Sequence, residues 1–167
     1  MRRHLIRNDR RGMAAVEAAV VLPLLLILML GVWEVGRMIQ VDQILINSAR
    51  EGARLAAGGY VNGTAVTTAM VQQAVRDYLT ASGLPAAAAS GATVTLTCLA
   101  SPTWTDPSAA LPLDQFQVTV VIPAGTAFNS LRWNLLNRLT TITQMSVSVQ
   151  WMSLNDSKIT VTTSLPY

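Results

Sequence analysis

The chain has 167 residues, 51% of them hydrophobic and only 13% charged, which leaves room for one membrane helix and one modest domain but not for two cores. Its net charge of +3 is local: five of the twelve Lys and Arg residues (Arg2, Arg3, Arg7, Arg10, Arg11) and one of the nine acids (Asp9) precede Gly12. The remainder holds 7 basic and 8 acidic residues, so there is no reason to expect a basic face for nucleic acid, and the excess of positive charge stands in front of the first apolar run.

Residues 1–12 read as a basic, flexible cytoplasmic leader. Met13 to Trp33 follows with Glu17 as its one ionisable side chain, and about 20 apolar residues suffice to cross a hydrocarbon core of roughly 30 Å. The leader then stays in the cytoplasm and the rest is exported, in a bacterium to the periplasm, with the span in the inner membrane. An ionised carboxylate inside the span costs about 2.5 to 3.5 kcal/mol, so Glu17 is expected at the edge, neutralised or paired. Pro23 removes a backbone donor and crowds the carbonyl of Ala19, which predicts a kink or loosening there.

Beyond Trp33 the pattern becomes one-sided: Val35, Met38, Val41, Leu45, Ala49, Gly52 and Leu55 recur at three- and four-residue steps, with Glu34, Arg37, Asp42, Arg50, Glu51 and Arg54 between them. One helix is therefore expected from 13 to 57, its part 34–57 amphipathic and outside the membrane, ending at Gly58-Gly59. Glu34 and Arg37 are spaced to pair, as are Glu51 and Arg54.

A separate α+β domain is expected over 60–167. Thr64 is read as the N-cap of a helix from Ala65 to Ser82, and 86–91 as a low-complexity link. Strands with alternating faces are predicted at Val94 to Cys98, Phe116 to Ile122, Met145 to Trp151 and Ile159 to Thr163, and a short helix at Phe128 to Leu139. The expected fold class is thus α+β: a long membrane-spanning helix whose outer half covers a small antiparallel sheet, with one or two short extra helices.

The order basic tail, Gly12, four small or apolar residues, Glu17, long apolar helix resembles the class III signal of type IV pilins and pseudopilins. That resemblance implies cleavage between Gly12 and Met13 by a prepilin peptidase. It also implies that Glu17 pairs with the amino terminus of a neighbouring subunit during assembly. The likeness extends further. The E-x-A-x-V-x-P-L-L-L run at Glu17 to Leu26, W-E-x-G-R at Trp33 to Arg37 and N-S-A-R-E-G-A-R at Asn47 to Arg54 resemble the TadE-like family, pseudopilin-type proteins of tight-adherence (Tad or Flp) pilus systems. Ala18 stands where tyrosine follows the glutamate in the processing pattern of Tad pilins.

The resemblance implies a minor pseudopilin or structural assembly component of an adhesive Tad pilus, with partners among other pilins, the peptidase and the inner-membrane assembly platform. Arg50, Glu51 and Arg54 are a candidate partner surface; the competing reading is an exposed, helix-stabilising charge set. A permanently anchored adaptor or binding module is the alternative, using a free edge of the strands at Val94 to Cys98 or Ile159 to Thr163. An enzyme is not expected. The only histidine is His4, in the leader, no metal-ligand cluster or phosphate loop is evident, and Ser157 beside Lys158 reads as a turn. No cofactor or small-molecule substrate is expected.

Overall fold

The computed structural model describes residues 10–131 and 144–155. The expected strand at Ile159 to Thr163, the expected helix beyond Leu131, the Ser157-Lys158 turn and most of the leader lie outside these residues. The chain divides into two units, Met1–Arg37 and Met38–Tyr167.

The first unit contributes one described element, the beginning of helix α1 (Arg10–Gly58), which passes through Pro23 without interruption. The helix starts three residues before the expected Met13, because nothing at Arg10 to Gly12 stops it. From Gly12 to Met29 every residue is exposed, the bulky Val20, Leu24, Ile27 and Leu28 included. The one-sided pattern was also misplaced at its start: Val35 is exposed and Glu34 is buried. Steps of three and four residues back from Val41 land on Met38 and Glu34, so the stripe passes Val35 by.

In the second unit, the rest of α1 buries Val41, Leu45, Ala49, Ala53 and Ala56 completely or nearly so. It closes where expected: Gly59 adopts φ +64° and donates its N–H to the Ala56 carbonyl, the left-handed stop that glycine makes without strain. Next comes a small hairpin, β1 (Tyr60–Val61) and β2 (Thr64–Ala65). This corrects the expected helix start at Thr64. Asn62 and Gly63 both have positive φ, and such an Asn-Gly pair turns a two-residue hairpin. Helix α2 (Thr68–Ala81) is capped instead by Thr67, whose hydroxyl accepts from the Met70 N–H. It buries Val71, Val75 and Leu79, with Tyr78 half-buried.

The stretch read as a link is in fact helix α3 (Ala86–Gly91), with Ala88 and Ala89 buried; consecutive alanines propagate a helix with the least entropic cost. An antiparallel sheet follows in the order β3 (Thr93–Cys98), β4 (Gln115–Ile122), β5 (Met145–Met152). The central β4 alternates strictly, burying Phe116, Val118, Val120 and Ile122. On its other face a polar row runs across the sheet: Thr95, Thr119 and Ser148 are in register, with the last two hydroxyls 2.9 Å apart. A short helix, α4 (Thr126–Asn129), buries Phe128.

The expected cover is present. Around Gly52, α1 lies against Val71 and Val75 of α2 and Val118 of β4, so α1 shares one apolar core with α2 and the sheet. After β5 the chain returns to the end of α1. There Leu154 donates its N–H to the Ala57 carbonyl (2.8 Å), satisfying one of the acceptors that a helix C-terminus leaves open.

Candidate functional site

The candidate site is α1 itself, and its residues fall into two groups. Gly12, Met13 and Glu17 occupy its first turns and are all exposed. Gly12 and Met13 lie inside the helix. Glycine is nevertheless the weakest helical residue of this turn, costing about 0.8 to 1 kcal/mol relative to alanine, so local unwinding is easiest there. Glu17 makes no hydrogen bond or ion pair among the described residues. Pro23, also exposed, lies six residues on, and the Ala19 carbonyl lacks the donor that another residue would supply.

From Gly12 to Met29 the helix is thus an apolar surface exposed along its length. Monomeric proteins rarely leave such contiguous apolar area to water. The helix is long and apolar enough to cross a membrane, and its exposure distinguishes it from the core helix of a soluble domain. Trp33, 70% exposed, ends the run as an interfacial aromatic would.

The second group is brought together as the spacing predicts. Arg54 grips Glu51 with two hydrogen bonds, Nε to Oε2 at 3.0 Å and Nη2 to Oε1 at 2.7 Å. These bonds hold the Glu51 carboxyl below its ordinary value, against a desolvation cost and with a lesser contribution from the Arg54 charge. Arg50 is exposed and outside the pair. The pairing expected for Glu34 and Arg37 is not formed; Arg37 has no ion pair among the described residues.

One arrangement was not anticipated. The Leu99 N–H donates to the Gln115 carbonyl, continuing a ladder in which Thr93, Thr95 and Thr97 bond to β4 while Val94, Leu96 and Cys98 turn their backbone groups outward. Two side chains of α2 meet the start of that outer edge. Gln72 Nε2 donates to the Val94 carbonyl (3.0 Å) and Arg76 Nε to the Ala92 carbonyl (3.5 Å). The four-residue spacing of Gln72 and Arg76 was the available signal, since it places both on one side of α2.

Comparison with known proteins adds one finding. A family model described as TadE-like protein matches residues 12–54, the family suggested by the motifs at Glu17, Trp33 and Asn47. The match therefore covers Gly12, Glu17, Pro23, Arg50, Glu51 and Arg54 and stops before the hairpin. No curated protein and no solved structure gives a significant match.

Proposed function

We propose that this chain is a minor pseudopilin, a structural rather than enzymatic component of Tad pilus assembly, anchored in the bacterial inner membrane with its domain in the periplasm. The TadE-like match supports involvement in a Tad pilus system. The exposed apolar surface from Gly12 to Met29 carries the rest. Such a surface has two natural covers, lipid before assembly and neighbouring helices afterwards, and a pseudopilin exchanges one for the other.

In this reading a prepilin peptidase cuts between Gly12 and Met13, removing every arginine before Arg37. The new amino terminus then stands one turn from Glu17. A carboxylate that is costly alone in lipid is compensated when a neighbour's amino group meets it, which favours assembled, in-register helices. Pro23 loosens the helix near this contact, and Arg50, with the Glu51–Arg54 pair, offers a charged surface to the assembly platform or another subunit. The alternative of a permanently anchored adaptor receives less support, since Gln72 and Arg76 already occupy part of the β3 edge that such a partner would use.

Two measurements test the proposal. Mass spectrometry of the protein from peptidase-competent cells is expected to give a mature chain starting at Met13, and the intact leader in cells lacking the peptidase. Glu17→Ala is expected to insert normally while piliation fails. An intact leader in competent cells, or normal piliation by Glu17→Ala, overturns the corresponding step.

A further inference from the structure

Among the described side chains of α1, Glu17, Arg37, Asp42 and Arg50 make no hydrogen bond or ion pair, whereas Glu51 and Arg54 bond each other. Arg37 and Asp42 are half-buried, not freely solvated. They are also five residues apart. At 3.6 residues per turn their side chains leave the helix about 140° apart, so they cannot pair as the three- and four-residue neighbours of one helix do.

A second, parallel copy displaced along the axis removes this obstacle. An offset of five residues, about 7.5 Å at 1.5 Å per residue, sets Arg37 of one copy level with Asp42 of the next. The same direction and nearly the same spacing separate Met13 from Glu17, four residues or about 6 Å. In both cases the cation precedes the acid. One stagger therefore sets Arg37 level with an acid at nearly the offset that would set an amino terminus created at Met13 level with Glu17. The divergence of Arg37 and Asp42 suits this geometry, because a repeating head-to-tail contact uses one side of each subunit toward the next copy and another toward the previous one.

We propose that Arg37 and Asp42 form an ion pair between successive copies of this chain, setting a parallel α1 stagger of roughly 6 to 8 Å. The occupant is a second copy, because the complementary charges at matching offset lie on the same helix. The inference rests on the reading of the chain as a pilus subunit, and it concerns a contact outside the apolar span.

The test uses the full chain with Cys98→Ser. Arg37→Cys combined with Asp42→Cys, treated with a short bismaleimide in cells assembling pili, is expected to give a ladder of multimers, while either single cysteine variant gives no ladder. Separately, Arg37→Asp or Asp42→Arg alone is expected to reduce the protein in sheared filaments several-fold, and the double exchange Arg37→Asp/Asp42→Arg to restore it. Filament incorporation without a ladder, or without recovery by the exchange, overturns the pairing and leaves the pilus reading standing. Absence of the unaltered protein from sheared filaments removes the pilus-subunit reading and this pairing together.

Discussion

Gly52 of α1 faces Val75 of α2 with no space for a side chain: a Cβ at position 52 would stand 2.5 Å from Val75 Cγ2. This glycine is not needed for its backbone angles. It is needed because two helices and β4 converge there, with Val118 Cγ1 at 3.7 Å from the same point.

Gly52→Ala is therefore expected to destabilise the domain, even though alanine favours a helix by up to about 1 kcal/mol over glycine. Val75 is fully buried and β-branched, so its methyl cannot swing aside at low cost. Overpacking of this kind costs about 1 to 3 kcal/mol. Denaturant unfolding of the detergent-solubilised protein measures it. Val75→Ala in the Gly52→Ala background is expected to cost less than the sum of the two single changes, since the methyl that collides is then gone.

The Glu51–Arg54 pair has a pH signature. The folded-state pKa of Glu51 lies below its ordinary 4.5, chiefly through the hydrogen bonds from Arg54. Its contribution is thus complete above pH 4.5 and fades as the pH falls through the lowered value. Both groups face water, so the effect is small and weakens with salt. The melting temperature of Glu51→Gln is expected to fall slightly below that of the unaltered chain at pH 7 and low salt, with the gap closing at pH 3 and narrowing at 1 M salt. An undiminished gap at pH 3 would show that Glu51 acts through packing instead.

How much of this was legible in the sequence depends on where the determining contact lies. The long helix, its glycine stop, the alternation of β3, β4 and β5 and the face of α2 are local patterns, and the side chains of Val71, Val75, Phe116 and Val118 report them directly. The hairpin at Asn62-Gly63 is equally local, but Thr64 also resembles a helix cap, and the two signals compete. By contrast, Asn155 donates from Nδ2 to the Ser108 and Ala110 carbonyls, at 3.2 and 3.0 Å, and packs beside Gly59. No pattern within either segment announces that junction. At the candidate site, the Glu51–Arg54 pair is readable from its three-residue spacing. The guarding of β3 by Gln72 and Arg76 required knowing which edge α2 lies against.

That guarding leads to the last prediction. An exposed strand edge templates pairing with other chains, and proteins suppress this by covering the edge or charging it. Gln72 and Arg76 do both at the start of β3, one as an amide donor and one as a cation. Gln72→Ala with Arg76→Ala forfeits two modest hydrogen bonds, worth about 0.5 to 1.5 kcal/mol each, and uncovers the Val94 and Ala92 carbonyls. The larger expected consequence is association: light scattering of the solubilised double variant should rise with concentration where the unaltered chain stays dispersed. Gln73→Ala is the control, since Gln73 bonds to Asp77 on the exposed side of α2, and should leave dispersion unchanged. Gln72→Lys should also stay dispersed, because a lysine at a strand edge repels a second copy. Equal scattering by the double variant and the Gln73→Ala control would mean that the two polar side chains contribute nothing to limiting association.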